Sequence, residues 1–355
     1  MNRFDKIIGM LDAYGLDALL VTSEPNRLYV TGFPSSAGTA VVTKEGCCFL
    51  TDSRYIEAAA REITGCEVAE PTQANPTLQM VENFLRRRQV QRLGFEEDRT
   101  TVSEYETLRS KLTCELVPAA ALLAEARAVK DPGEVEAMID AQRIAEKALD
   151  EVLPFIKAGR TEKEIAAFLQ YRMLLGGAEL MSFDPIVVSG PNSSLPHGVP
   201  TERVVSDGDF LTMDFGCVYH GYCSDMTRTV AIGHVTEEMD KVYHTVLEAQ
   251  LAGIAQAHAG VLGKTIHNAA AQVIANAGYD GYFRHGFGHS LGIEVHEMPG
   301  AGPYTETPLP AGTVLSAEPG IYLPGRFGVR IEDVIVIEET GCRNITKAPK
   351  ELLIL

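Results

Sequence analysis

The sequence predicts two domains: an α/β amino-terminal domain over residues 1–125 and an α+β domain over residues 126–355, the latter built from two halves that each run helix, helix, strands. Three observations lead there. The chain has 355 residues, more than the roughly 100–200 of a usual single domain. Apolar runs of strand length alternate with helix-period stretches up to about residue 125. Finally, GDFLTMDFG (208–216) and GTVLSAEPG (312–320) share one template: Gly, two residues, Leu, a hydroxyl residue, a spacer, an acid, a spacer, Gly. That template sets Asp214 and Glu318 at matching places.

In the first domain the pattern predicts a helix near 3–14, a strand in DALLVTS (17–23) and a strand in NRLYVTGF (26–33). AVVTKEGCCFLT (40–51) reads as a hairpin turning at Lys44-Glu45-Gly46. Helices follow near 54–63, 76–89 and 103–112, with short strands in QRLGFE (91–96) and CELVPA (114–119). In LLAEARAVKDPGEV (122–135), Pro132-Gly133 opens a long amphipathic helix on which Val135, Met138, Ile139 and Ile144 recur at helical spacing. The domain boundary is therefore placed near residue 125. Beyond it come helices near 132–156 and 161–175 and strands around 184–189 and 209–232, then helices near 236–258 and 263–277 and strands ending at 328–338. This order is doubled. A second acid in each half, Asp225 in YCSDMTRTVAI and Glu332 in GVRIEDVIVI, follows the first after a similar interval.

A net charge of −17 with no Lys/Arg cluster argues against a nucleic-acid partner. Asp5 and Asp12 interrupt the amino terminus where a signal peptide needs an apolar stretch, and no later run reaches membrane-spanning length, so the expectation is a cytoplasmic protein without membrane contact. The seven cysteines match no Cys-x-x-Cys spacing and read as free thiols, with Cys47 and Cys48 as packing residues.

If the two halves pack face to face, Asp214, Asp225, Glu318 and Glu332 converge on one pocket. Ionised carboxylates within about 4–6 Å raise one another's pKa, and burial adds a shift of the same sign. Two divalent cations cancel those charges, and carboxylates bridging two metals make the clamp of two-metal hydrolysis. RHGFGHSLGIEVHEMPG (284–300) adds His285, His289 and His296 among glycines that suit turns rather than a helix, and His289 is the favoured ligand. Oxygen ligands with one imidazole and no thiolate favour manganese, while zinc, cobalt and iron also suit the donor set. Two competing motifs lie here. GHSLG (288–292) fits a serine-nucleophile elbow at Ser290 but lacks the preceding apolar strand and the triad order. HGFGH has the spacing of a helical zinc pair but lacks its Glu, and its glycines disfavour a helix.

SGPNSSLPHG, MDFGCVYHGYCSDMTR, HGFGHSLGIEVHEMP, SAEPGIY and GVRIEDV, in that order, resemble the motifs of the M24 pita-bread metallopeptidases: aminopeptidase P, Xaa-Pro dipeptidase (prolidase) and methionine aminopeptidase. The amino-terminal part resembles the creatinase/prolidase amino-terminal domain. The resemblance implies a pita-bread metallopeptidase domain holding Asp214 on one metal, Asp225 and Glu332 bridging both, and His289 with Glu318 on the other. It adds manganese or cobalt as activators, His197 and His296 as donors to the substrate carbonyl or tetrahedral intermediate, and a pocket lined by His285 and Tyr322. Glu318 is assigned proton relay beside its metal role.

Arg330, grouped with the substrate pocket, lies two residues before Glu332, so on a strand it shares a face with that carboxylate and can hold it. The implied activity is hydrolysis of Xaa-Pro bonds in di- or oligopeptides by a metal-bridging hydroxide, in a homodimer. The alternative is a catalytically silent or metal-free creatinase-like protein. Gly300 stands where some prolidases carry an arginine for a dipeptide's carboxylate, and Arg326 is the candidate replacement.

Overall fold

The computed structural model describes residues 3–355. It divides into two compact units, Met1–Arg127 and Ala128–Leu355.

In the first unit, six strands form one mixed sheet in the order Glu67–Ala69, Gly46–Leu50, Thr39–Thr43, Ala18–Val21, Arg92–Phe95, Glu115–Pro118. The predicted hairpin pairs Thr43 with Gly46 around Lys44-Glu45. The strands Arg92–Phe95 and Glu115–Pro118 extend the sheet in parallel. One expectation fails. The segment read as the strand 26–33 lies in a helix, Glu24–Thr31. Its β-branched and aromatic residues favour a strand locally, but Pro25 pre-sets the first turn and Gly32, at φ 69°, closes the helix with its N–H on the Leu28 carbonyl. Tyr29 and Val30 are then buried, and Asn26 donates to Glu96 at 2.7 Å.

In the second unit the doubled order appears as two helix pairs, Pro132–Val152 with Glu162–Leu175 and Glu237–Ile254 with Gly263–Asn276, each followed by strands. Asp131 and Thr161 start the first two helices with reciprocal capping boxes to Glu134 and Glu164. The first helix stops at Val152, short of the predicted 156, where Pro154 falls in a 3₁₀ turn, Leu153–Phe155. Among the described residues no helix is long and apolar enough to cross a membrane. All seven cysteines are free thiols, and Cys47 and Cys48 are buried.

The strands explain where the acids point. Along Phe210–Phe215, Leu211, Met213 and Phe215 pack with Leu149, Ile165 and Leu169 of the first helix pair, so the period of two turns Thr212 and Asp214 to the opposite face. Along Val314–Ala317, Leu315 and Ala317 join the core of the second helix pair with Val246 and Ile266, which turns Ser316 and the next alternate residue, Glu318, away from the helices. Asp225 and Glu332 each stand one residue before a strand, Met226–Ala231 and Asp333–Glu338. The halves are stitched there. Glu332 N–H donates to the Thr227 carbonyl at 3.1 Å, and the Thr229 hydroxyl to the Arg330 carbonyl at 2.9 Å.

Candidate metal centre

His289 sits in the short strand Gly288–Ser290, whose neighbour is Val314–Ala317. A Cβ on Gly288 would stand 1.9 Å from the Ser316 carbonyl oxygen, and one on Gly216 would stand 1.9 Å from that of Ser224. Only glycine allows these approaches, and each brings backbone beside an acid: Ser316 precedes Glu318 by two residues, and Ser224 precedes Asp225 by one.

Asp214, Asp225, His289, Glu318 and Glu332 form one cluster. His289 Nε2 lies 3.3 Å from Glu318 Oε1 and 3.7 Å from Asp225 Oδ2. Asp225, His289 and Glu332 offer ligand atoms that all fall within 4.8 Å of one another. Burial, with Asp214 and Glu318 close by, pushes the Asp225 carboxyl well above the usual carboxylate range. Burial, with Asp225 and Glu318 close by, does the same to Glu332. Burial brings Glu318 up to about 7. These shifts come chiefly from burial and from the neighbouring acids, and Arg330 offsets them only in part at Asp225 and Glu318.

The donor set fits divalent cations. Two of the carboxylates spend one oxygen on the protein side: Asp214 Oδ2 accepts from Arg330 Nη2 at 2.6 Å and Glu332 Oε2 from the Thr227 hydroxyl at 2.7 Å, while Asp225 Oδ2 lies 3.7 Å from His289 Nε2. The other oxygens, Asp214 Oδ1, Asp225 Oδ1 and Glu332 Oε1, are buried with no hydrogen-bond partner among the described residues. An unpaired buried carboxylate oxygen is costly, and metal coordination is a usual remedy. His289 agrees: Nδ1 meets the Ser290 carbonyl at 3.2 Å, which can only accept, so the proton sits there and the Nε2 lone pair faces the carboxylates. Burial also lowers the His289 pKa, favouring the neutral, ligating form.

Beside the cluster opens a cavity of about 500 Å³ lined by Asp214, Asp225, His289 and Glu318 together with His197, His285, His296, Tyr322 and Arg330. Its wall is otherwise largely apolar, with Phe183, Ile186 and Val199. His197 and His296 are both exposed to it, and the His296 ring stands edge-on to His289 at 4.3 Å between centroids. His285 is engaged at both nitrogens: Nδ1 to the Gly286 carbonyl at 2.9 Å and Nε2 to the Tyr322 hydroxyl at 2.9 Å. It thus presents a ring to the cavity rather than a free donor.

Two expectations change. Arg330 grips Asp214, not Glu332. The strand Phe327–Arg330 ends at that residue, so the shared-face rule stops short of Glu332, and Arg330 reaches Glu332 only through Thr227, whose Oγ1 accepts from Arg330 Nε at 3.1 Å. Arg330 Nη1 also donates to the Tyr322 hydroxyl at 2.8 Å and to the Pro196 carbonyl at 3.2 Å. Arg326, the candidate for a substrate carboxylate, pairs instead with Glu238 at the surface and is not a cavity residue. Ser290 is fully buried and donates to the Pro299 carbonyl, which removes it as a nucleophile.

Residues 136–339 match the family model of metallopeptidase family M24. The chain belongs to that family. Residues 3–129 of this M24 protein match the creatinase/prolidase N-terminal domain. It is 34% identical over 354 residues to the Xaa-Pro dipeptidase of Pyrococcus horikoshii, covering 99% of each chain. Two solved structures resemble it across the chain: an Xaa-Pro dipeptidase from Bacillus anthracis (TM-score 0.95, 39% identity, 99% of both chains) and the X-Pro aminopeptidase from Thermotoga maritima (TM-score 0.93, 36% identity, 99% of this chain and 100% of that one). The M24 chain is a hydrolase in which a pita-bread domain follows a creatinase-type domain along the sequence.

Residue patterns missed Thr227 and Ser316. Thr227 ties Arg330 to Glu332, and the Ser316 hydroxyl joins His289 N–H (3.0 Å) to Glu318 Oε1 (3.1 Å). A usable signal existed: each lies two residues from an acid, on the face that the acid's strand turns to the site.

Proposed function

We propose that this M24 chain is a dinuclear-metal exopeptidase that hydrolyses Xaa-Pro bonds. The carrying observation is the set of three buried carboxylates, each with an oxygen that has no protein partner, grouped around the His289 Nε2 lone pair. Asp214, Asp225, His289, Glu318 and Glu332 would hold the cations, with Asp214 on one, His289 and Glu318 on the other, and Asp225 and Glu332 shared between them. The oxygen-rich donor set favours Mn²⁺, with Co²⁺ and Zn²⁺ as substitutes. When bound, the cations supply Lewis acidity that activates water and polarises the scissile carbonyl.

The chain's own residues do the rest. Arg330 locks Asp214 in place and, through Tyr322, fixes the His285 ring as one wall. His197 and His296, both facing the cavity, donate to the carbonyl oxygen as charge develops. Glu318, held at Oε1 by Ser316, takes a proton from the attacking water and passes it to the leaving imide nitrogen. Selection of proline rests on ring shape against the apolar wall, because its nitrogen offers no N–H. The names of the relatives support that choice. Among the described residues Arg330 is the only Lys or Arg lining the cavity and is already committed to Asp214, so they offer a dipeptide's carboxylate no uncommitted Lys or Arg there. Tripeptides should therefore be turned over as well as dipeptides.

The test is a panel of Xaa-Pro dipeptides and tripeptides with chelated enzyme and Mn²⁺, Co²⁺ or Zn²⁺ added back, alongside elemental analysis. About two metals per chain and restored turnover are expected. A metal-loaded enzyme inactive across the panel overturns proline specificity. Turnover or ligand binding indifferent to chelation returns the metal-free creatinase-like reading.

A further inference from the structure

Glu162 lies outside the cavity wall but bonds both ends of the chain segment that carries His197. It is the first residue of the helix Glu162–Leu175 and is fully buried. Its Oε1 accepts from Ser189 N–H at 2.7 Å and the Ser189 hydroxyl at 2.9 Å. Its Oε2 accepts from Thr201 N–H at 3.0 Å and the Thr201 hydroxyl at 2.7 Å. The Asn192 amide donates to both oxygens, at 3.1 and 3.2 Å. Ser189 ends the strand Ile186–Ser189, and residues 190–200 between the two anchors include Pro196-His197-Gly198. One carboxylate thus joins both stems of the His197 loop.

The loop's outgoing limb has further anchors: Gly328 N–H donates to Ser193 Oγ at 2.9 Å, and Arg330 Nη1 donates to the Pro196 carbonyl at 3.2 Å. His197 itself stands on the return limb, whose far end is Thr201. There Glu162 and the Lys163 N–H, which donates to the Thr201 carbonyl at 3.2 Å, close the loop. A buried carboxylate is tolerable because its bonds are charge-assisted and it sits at a helix N-terminus.

We propose that Glu162 is a positioning residue that sets where His197 stands, by clamping Ser189 and Thr201. The inference rests on the reading of His197 as a donor to the reacting carbonyl. In E162Q an amide NH₂ replaces one oxygen and must face the N–H of Ser189 or Thr201, so the clamp on one stem is lost while its other bonds remain. The expected result with a Mn²⁺-loaded enzyme and an Xaa-Pro substrate is a fall in kcat of about tenfold or more, with KM and Mn²⁺ affinity within about twofold. In an H197A background, E162Q should cost nothing further, since residues acting through one another are not additive.

T201V, which keeps the side chain's shape but removes the hydroxyl that donates to Glu162 and accepts from Arg203 N–H, should show the same pattern more weakly, and it serves if E162Q does not fold. An E162Q loss that persists undiminished in H197A, a loss of Mn²⁺ affinity in step with kcat, or an unchanged kcat each overturns the proposal. H197A with full turnover would instead show that the donor role of His197 has failed, and Glu162 positioning with it.

Discussion

At the scale of single residues, Arg330 organises the site. Its guanidinium meets Asp214, Thr227, Tyr322 and the Pro196 carbonyl from one side chain, a division of bonds that depends on the planar fork. Lysine keeps the charge but offers a single rotating ammonium. R330K should therefore weaken Mn²⁺ affinity by about 10–100-fold, the range seen when residues that orient metal ligands are lost. Titration calorimetry of the chelated variant against wild type measures this. Affinity within about twofold of wild type would remove Arg330 from the metal site. Sequence spacing pointed Arg330 at Glu332 because the two are neighbours along the chain. The side chain instead crosses to Asp214, 116 positions away, a contact that periodicity along one strand cannot show.

At the scale of elements, the site depends on how closely strands approach. Gly288 admits the Ser316 carbonyl into the space a side chain would fill, and this neighbour places His289 beside Glu318. G288A must push the two strands apart. Overpacking of this kind costs typically about 1–3 kcal/mol, and the displaced His289 should lower metal affinity at the same time. Thermal unfolding of the chelated protein reads the first effect, and Mn²⁺ binding reads the second. An unshifted melting temperature would show that the strands yield without cost. The elements themselves were mostly legible, because strand and helix periods are local properties. The helix Glu24–Thr31 was not: its Tyr-Val-Thr run carries strand propensity, while burial of Tyr29 and Val30 and the tie from Asn26 to Glu96, 70 positions on, decide for the helix.

At the scale of the whole molecule, buried acids that Arg330 offsets only in part should make stability depend on metal. Cations bind the assembled cluster and find no such cluster in the unfolded chain, so free Mn²⁺ at about 100-fold above its dissociation constant should stabilise the second unit by about 2.7 kcal/mol. Scanning calorimetry with and without chelator should show its transition rise with Mn²⁺. In D225N, which removes a charge from the cluster, the rise should shrink. A transition insensitive to Mn²⁺ would argue that these side chains hold no cation.

From the sequence alone came the two-domain order, the doubled halves, the five cluster residues and the chemistry those donors suit, because periodicity, turn residues and a repeated acid template are written locally. Tertiary structure alone decided that Arg330 holds Asp214, that Tyr322 and His285 are joined in the cavity wall, and that Glu162 bonds both Ser189 and Thr201. Each of these contacts joins residues from different elements, and its strength comes from burial and geometry that exist only once the halves have packed.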